Sequence, residues 1–343
     1  MKPVTRPAAD ALALSPSERS AGEPPVGEPP AGEPPAGELV AAEPPSDLAT
    51  SSRILDWLRL ARPKQWAKNV LVFVAPGAAG VLTHAGPALR SLGAFGVFCA
   101  AASATYLVND TVDAEADRRH PTKRLRPVAS GRVSPRAAIA AAMVLFAAAL
   151  AGSALLAGWP LVVVVAAYAA ITVSYSLRLK REPVIELTAV ASGFVLRAVA
   201  GGVAAHVPLS RWFLVVTSFS ALFLVIGKRT AEHQALGDAR GLHRSALDLY
   251  SRTFLRSALT LSAAGAVTTY CLWAFDKGGL AHRGDHLVWI ELSVAPVLTG
   301  VLYVLRLLDA GHGGAPSELA WEDRMLQVLA LVWAVLVGVG IYA

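Results

Sequence analysis

The sequence is short of cysteine and of charge, and each shortage excludes a class of protein. Only two cysteines occur in 343 residues, both within apolar stretches, so the chain offers neither a disulfide framework nor a thiolate metal site. Its eight histidines lack the short spacings of a zinc site. Charged residues make up 16% and hydrophobic residues 54% of the chain, and the mean hydropathy of +0.48 is too high for an ordinary soluble domain. The sequence therefore predicts a protein whose main solvent is a lipid bilayer.

The first 52 residues differ in composition from the rest of the chain. They contain the repeat GEPPVGEPPAGEPPAGE, which has too little apolar surface to offset the conformational entropy lost on folding. No apolar run there is long enough for the core of a signal peptide. We expect a disordered tail over residues 1–52 and one helical domain over residues 53–343.

Nine apolar stretches follow, each close to the ~20 residues that a helix needs to cross the ~30 Å hydrocarbon core. They predict an all-α, polytopic membrane protein built as a bundle of nine transmembrane helices. The predicted spans are 69–86, 88–109, 135–157, 159–177, 183–204, 212–228, 253–275, 286–308 and 323–342.

Lysine and arginine are concentrated in alternate connections between these spans. The segments 53–68, 110–136, 178–182, 228–256 and 306–324 hold 23 of these residues, and the opposite connections hold 4. This bias predicts a plasma-membrane protein whose N-terminus and basic loops are cytoplasmic and whose C-terminus is outside. Topology and anionic lipid head groups account for the cations, but they do not account for the acids placed among them.

The acids are most regular in NDTVDAEADRRHPTKRLRP, residues 109–127. Asn109, Asp113 and Asp117 recur every four residues and lie on one helical face over two turns, with Asp110 at its edge. Oxygen ligands at this pitch suit Mg²⁺, whereas a merely solvated helix end would leave the acids repelling one another. A basic loop follows directly, and Mg²⁺ ligands followed by cations predict a diphosphate site.

Further charged residues lie on or near the later spans. Glu186 and Arg197 are eleven residues apart, which places them on one helical face over three turns. An arginine that deep in an apolar helix is expected to face the bundle interior and to have a partner or a ligand. The alternatives to substrate contact by Arg197 are a pair with Glu186 or a bond to a backbone carbonyl.

Cations at the ends of two spans also have two interpretations. Lys228 either extends towards the membrane surface or contributes to the second half of the site. Lys64 precedes the first span together with Trp66 and Lys68, and these residues either anchor that helix at the interface or form the near wall of the anionic pocket.

On these residues the sequence resembles the UbiA superfamily of intramembrane transferases. NDTVDAEAD matches that family's first motif, N-x-x-x-D-x-x-x-D, whereas Glu182 and Glu186 stand where its second motif has aspartates. RPKQWAKN, YSLRLKREPVIEL and GFVLRAVAGG resemble the branch that transfers phosphoribosyl groups to polyprenyl phosphates. The resemblance covers residues 55 to 343 and implies nine helices around a polar pocket that faces the cytosol.

The resemblance also implies a reaction, in which 5-phosphoribosyl 1-diphosphate and decaprenyl phosphate, or another polyprenyl phosphate, give diphosphate and decaprenyl-phosphoryl-β-D-ribose 5-phosphate for cell-wall arabinan. Mg²⁺ is the implied cofactor, held with the donor diphosphate by Asn109, Asp113 and Asp117, with Asp110 as an auxiliary. The candidates for binding the donor's phosphates and ribose are Lys64, Tyr106, Lys123 and Arg126. The candidates for the acceptor phosphate, or for the second half of the donor site, are Lys180, Glu186, Arg197 and Lys228. Two further candidates for substrate contact are Arg124 and Tyr175.

Two other functions stay open at this point. A UbiA-type prenyltransferase acting on an aromatic or quinone precursor needs the same first motif, and normally a second motif richer in aspartate. A lipid transporter tends to place ionisable residues near the membrane midplane, whereas most of the charges here lie at the predicted cytosolic rim. The sequence indicates no nucleic-acid partner, and it is compatible with a homo-oligomer.

Overall fold

The computed structural model of the chain describes residues 46–236, 249–280, 288–311, 316, 319 and 322–343. All regular secondary structure within these ranges is helical, and eight of the helices described there are long and apolar enough to cross a membrane. These findings confirm the predicted all-α, multi-pass fold class. The tail predicted over residues 1–52 lies outside the described residues as far as residue 45, and the first helix begins at Ser46.

The described α-helices are bounded as follows: α1 Ser46–Ala61, α2 Val74–Ala78, α3 Ala85–Val112, α4 Ala114–Arg119, α5 Pro135–Ala157, α6 Trp159–Leu177, α7 Ile185–Ala204, α8 Arg211–Leu236, α9 Arg252–Leu280, α10 Val288–Leu292, α11 Val294–Asp309 and α12 Arg324–Tyr342. Three 3₁₀ helices cover Pro63–Phe73, Lys123–Leu125 and Leu179–Arg181. The candidate membrane spans are α3, α5, α6, α7, α8, α9, α10 with α11, and α12.

Local sequence signals set several of these boundaries. Ser134 precedes α5, and its hydroxyl accepts a hydrogen bond from the Ala137 N–H at 3.2 Å, while proline occupies the first helical position. Gly158, with φ of 67°, ends α5 and starts α6, so that the two helices can turn within one residue. Asp323 caps α12 by accepting from the backbone N–H groups of Met325 and Leu326.

The first predicted span, 69–86, is not a long α-helix. The chain forms the 3₁₀ helix Pro63–Phe73, which we call the 3₁₀ segment, and continues as α2 only to Ala78. Pro76 removes one backbone donor from α2, and Gly80 beyond it has φ of 73°. The count of nine spanning helices is therefore not confirmed in the described ranges, although each of the other eight predicted spans overlaps an observed helix.

This region is longer than its small number of residues suggests, because much of it is a 3₁₀ helix. A 3₁₀ helix rises ~2.0 Å per residue and an α-helix ~1.5 Å. Pro63–Phe73 and Val74–Ala78 together are therefore ~30 Å long, similar to the hydrocarbon thickness of a bilayer. A membrane crossing by this region stays a prediction.

Helix α7 is central to the bundle. Its first half, at Leu187 and Ala191, belongs to a core cluster with α8, α9 and α11. Its second half, at Ala200 and Ala204, belongs to another cluster with α3, α5 and α6. Side chains near either end of α7 are consequently held by packing on two sides.

The 3₁₀ segment approaches α7 closely at a glycine. Val72 is fully buried, and a Cβ added at Gly201 would lie 1.6 Å from the Val72 carbonyl oxygen. Only a residue without a side chain allows the two backbones to come this close.

We expect Gly201→Ala to lower the free energy of unfolding by about 1–3 kcal/mol, because the 3₁₀ segment must move away from α7. Thermal unfolding of the purified protein measures the effect. Gly96→Ala is the matched control, since a Cβ at Gly96 in α3 meets no atom within 4 Å. Equal unfolding temperatures for the two variants would contradict the close packing.

A candidate active site at the end of helix α3

The polar face of α3 continues beyond the end of the helix. The Asp113 N–H donates to the Asn109 carbonyl at 2.9 Å, and the Asp117 N–H donates to the Asp113 carbonyl at 2.8 Å. The helical register therefore runs from α3 into α4, and the four-residue stripe of oxygen-bearing side chains is preserved. Asp110 and Asp117 are buried, at 2% and 4% exposure, while Asn109 and Asp113 are half-buried.

Basic side chains from three separate segments pair with these aspartates. Arg126, after α4, donates through Nη1 to Asp117 at 2.7 Å and to Asp110 at 3.2 Å. Arg62, before the 3₁₀ segment, donates to Asp110 at 2.5 Å. Lys180, after α6, pairs with Asp113. We call these three acids and three cations the aspartate cluster; their formal charges cancel.

Arg62 is the member of this cluster that the sequence reasoning missed. Its guanidinium lies 4.8 Å from the centre of the Tyr106 ring, a cation–π distance. Its backbone is left-handed, with φ of 51°, a conformation rarely adopted by residues other than glycine. The only signal in the sequence was an arginine directly before the proline of RPKQWAKN, where the α conformation is disfavoured.

The side-chain oxygens of the stripe from Asn109 to Asp117 are of the chemical type that binds a hard divalent cation. Carboxylate and amide oxygens are the ligands that Mg²⁺ prefers. Within the part of the chain that the structure describes, no three His, Cys, Asp or Glu side chains lie close enough together to hold a metal ion. The negative charge of the stripe is neutralised here by arginine and lysine.

Five further candidates for substrate contact are not members of the aspartate cluster. Lys64 and Arg124 are exposed, and Lys123 is half-buried in the short helix that leads to Arg126. Tyr175 is half-buried near the end of α6, and Lys228 is exposed, 4.0 Å from Glu232. Substrate contact by these five residues stays a prediction.

Glu186 is fully buried and binds an arginine of α8. Arg229 donates to its two carboxylate oxygens at 2.7 and 2.8 Å, in a bidentate pair, and to Glu232 at 2.7 Å. Both Glu186 and Arg229 are less than 5% exposed. The sequence left two internal partners open for Arg197, namely Glu186 and a backbone carbonyl. Glu186 is bound to Arg229 instead.

Arg197 bonds inside the bundle to groups from three elements. It donates to the Gly193 carbonyl at 2.6 Å, to the Asn69 side chain at 2.7 Å and to the Tyr168 hydroxyl at 2.9 Å. Asn69 in turn donates to the Cys99 sulfur at 3.3 Å. The network ties the 3₁₀ segment to α3, α6 and α7, and substrate contact by Arg197 stays a prediction.

The connection between α6 and α7 is held against the start of α9. Val184 has φ of 65°, a strained value for a β-branched residue. Its N–H donates to the Tyr250 hydroxyl at 2.9 Å, and His233 bonds to the Tyr250 carbonyl at 3.1 Å. Burial raises the pKa of Tyr250, although the bond from Val184 opposes this effect. The hydroxyl therefore keeps its proton at neutral pH.

The UbiA prenyltransferase family model matches residues 70–340. This chain belongs to the UbiA family. The resemblance drawn from NDTVDAEAD and the neighbouring motifs is confirmed, and the protein is an enzyme of a transferase family.

Relatives within the UbiA family cover most of the chain. The decaprenyl-phosphate phosphoribosyltransferase of Corynebacterium glutamicum is 42% identical over 306 residues, which is 88% of this chain and 89% of that protein. The protein of the same name from Mycobacterium tuberculosis is 41% identical over 306 residues, which is 88% of this chain and 98% of that protein.

Solved UbiA structures share the fold at much lower identity. A UbiA homologue from Archaeoglobus fulgidus bound to GPP and Mg²⁺ superposes with a TM-score of 0.60 at 18% identity, over 83% of this chain and 98% of that chain. Its complex with DMAPP and Mg²⁺ gives a TM-score of 0.62 over 83% of this chain and 97% of that chain.

Proposed function

We propose that this UbiA-family enzyme transfers the phosphoribosyl group of 5-phosphoribosyl 1-diphosphate to decaprenyl phosphate. The products are diphosphate and decaprenyl-phosphoryl-β-D-ribose 5-phosphate, a precursor for cell-wall arabinan. The observation that carries the proposal is the 41–42% identity, along most of both chains, to relatives named for this reaction.

The chemistry of the acceptor suits a site without a general base. A phosphate monoester has a second pKa of about 6 and is largely dianionic at neutral pH, so it can attack without losing a proton to the protein. The bond from the acceptor oxygen to C1 of the ribose forms as the bond from C1 to the diphosphate breaks. Attack opposite the leaving group inverts the α donor to a β product.

The protein's main contributions are then alignment and the neutralisation of charge. Both substrates are anions, and the aspartate cluster carries no net charge of its own, so further cations are required. Lys64, Lys123 and Arg124 lie on segments next to the cluster, and we assign them to the donor phosphates. Tyr106, beneath Arg62, is assigned to the ribose.

Arg126 is the side chain best placed to bridge the cluster and a phosphate. A single nitrogen, Nη1, makes both of its bonds to aspartates. A guanidinium has five N–H groups in a planar fork that matches two phosphate oxygens. Nη2 and Nε are the groups that we assign to the donor diphosphate.

Asn109, Asp113 and Asp117 are the residues that would hold Mg²⁺, with Asp110 beside them. A bound Mg²⁺ neutralises charge on the leaving diphosphate. On the other side of the site, Lys180, Glu186, Arg197 and Lys228 are assigned to the acceptor phosphate or to the second half of the donor site, and Tyr175 to substrate contact.

We place the site on the cytosolic face of the plasma membrane. The donor is soluble and highly charged, and the segments 53–68, 110–136 and 178–182, which carry the cluster, hold 15 of the chain's 31 lysine and arginine residues. A cytoplasmic N-terminus and an external C-terminus require an odd number of crossings. With eight candidate spans in the described ranges, this topology depends on a crossing by the 3₁₀ segment with α2.

A labelled-donor experiment tests the proposal. Membranes from a host lacking the activity, carrying this protein and supplied with decaprenyl phosphate, are expected to move label from 5-phosphoribosyl 1-diphosphate into the lipid extract. Labelled prenyl diphosphate with an aromatic acceptor is expected to give no product. Membranes without the protein are the control, and prenylation of the aromatic acceptor in place of lipid ribosylation would favour the prenyltransferase alternative.

A further inference from the structure

A cavity of about 640 Å³ lies between α8, α9 and α11. It is lined by the last turns of α8, the first turns of α9 and the last turns of α11. The face of α8 that carries Thr230 and Gln234 lines this cavity, whereas Arg229 on the same helix binds Glu186 of α7. None of the described residues that line the cavity belongs to the aspartate cluster or has a proposed role in the reaction.

The rim of the cavity has an excess of positive charge. Arg252 and Arg256 lie one helical turn apart at the start of α9, and both are exposed. Asp309 is the acidic residue among the described residues of the lining, and it accepts a hydrogen bond from Arg256 at 2.6 Å. Two guanidinium groups against one carboxylate leave a net positive charge and unused N–H donors, which suit an anionic phosphate.

Below the rim the lining is partly apolar. Leu305 is half-buried and is the most accessible of the lining leucines, whereas Leu255, Leu259 and Leu308 behind it are almost fully covered by their neighbours. A free inorganic anion gains nothing from leucine side chains. A ligand that joins a phosphate to a hydrocarbon matches both the rim and the apolar part of the lining.

The cavity also lies at the depth of lipid head groups. The candidate membrane spans Arg211–Ala235, Arg252–Lys277 and Val288–Asp309 each end or begin at its lining residues. Where apolar spans end, a bilayer presents its head groups and the first carbons of its acyl chains. Basic residues at this level are attracted to anionic lipids.

We propose that this cavity binds the head group of an anionic phospholipid. Arg252 and Arg256 donate hydrogen bonds to the phosphate, and Leu305 contacts the glycerol and the first acyl carbons. The volume is within the range of about 300–1,000 Å³ that is usual for ligand cavities. A lipid bound there contacts α8, α9 and α11 at once and so joins their ends.

Native mass spectrometry of the purified full chain in a neutral detergent tests the site. The probes are phosphatidylglycerol, phosphatidylcholine and inorganic phosphate. We expect phosphatidylglycerol to bind more tightly than phosphatidylcholine, and inorganic phosphate not to displace it. Loss of both charge-assisted bonds in the double variant Arg252→Ala/Arg256→Ala is expected to weaken phosphatidylglycerol binding about tenfold or more.

The matched control removes two arginines elsewhere. Arg53 in α1 and Arg136 in α5 are exposed, so Arg53→Ala/Arg136→Ala removes the same charge without touching the cavity. Its affinity for phosphatidylglycerol is expected to stay within about twofold of the original chain if binding is local and not a general surface attraction. Equal losses in the two double variants, equal binding of phosphatidylcholine, or displacement by inorganic phosphate would each overturn the proposal.

Discussion

Asp113→Asn is expected to reduce phosphoribosyl transfer by about 100-fold or more, because one electrostatic contact at a reacting centre contributes effects of this size. The substitution keeps the shape of the side chain and removes its charge, which is paired with Lys180. The side chain of Asp113 is 29% exposed, so the protein is expected to stay folded. Initial rates with labelled donor, together with thermal unfolding, measure the two properties separately.

Glu115→Gln is the matched control for this variant. Glu115 lies on α4, two residues after Asp113, and its side chain is 78% exposed and paired with Arg119. It shares the helix but not the aspartate cluster, and we expect its substitution to leave the rate nearly unchanged. Full activity in Asp113→Asn, or an equal loss in Glu115→Gln, would remove the proposed role of the stripe.

The dependence of the rate on Mg²⁺ separates two explanations for a loss in Asp113→Asn. If Asp113 holds the metal, the variant requires a higher Mg²⁺ concentration for its half-maximal rate. If Asp113 acts only by positioning Lys180, then Lys180→Gln reproduces the loss and the Mg²⁺ requirement stays the same.

Glu186→Ala is expected to lower the free energy of unfolding by about 3–5 kcal/mol, as is usual when one partner of a buried ion pair is removed. The cause is the bidentate pair with Arg229, both of whose members are nearly inaccessible to solvent. Thermal unfolding of the purified protein measures the change. Glu182→Ala, at an exposed position four residues earlier, is expected to have little effect.

A double variant separates stability from substrate contact at Glu186. Replacing a buried ion pair by apolar side chains of similar size is often neutral for stability, so Glu186→Leu/Arg229→Met is expected to recover the unfolding temperature. If Glu186 contacts a substrate, the recovered protein stays inactive. Recovery of both properties would assign to Glu186 a structural role alone.

Apolar length predicted eight of the spans because a lipid-crossing helix needs about 20 residues whatever its neighbours are. The region 69–86 has the same apolar character, but it forms a 3₁₀ helix as far as Phe73 and then an α-helix that ends at Ala78. Hydropathy carries no information about rise per residue, so this difference was not visible in the sequence.

Periodicity within one helix predicted the stripe from Asn109 to Asp117, because a four-residue spacing fixes which side chains share a face. Ion pairs between two helices are not predicted by periodicity within either helix. Glu186 and Arg197 share a face of α7, yet Glu186 binds Arg229 of α8. The spacing of residues along one helix cannot predict a pair between two helices. Arg62 was missed for a related reason, since its position depends on a left-handed backbone.

The pairing of Lys180 with Asp113 has a consequence for biogenesis. The two residues are 67 positions apart, and α5 and α6 lie between them. During synthesis from the N-terminus, the carboxylate leaves the ribosome first and enters the insertion machinery before its counter-ion has been translated. The early hairpin of α3 and α5 must therefore keep that acid in contact with water until α6 has been released.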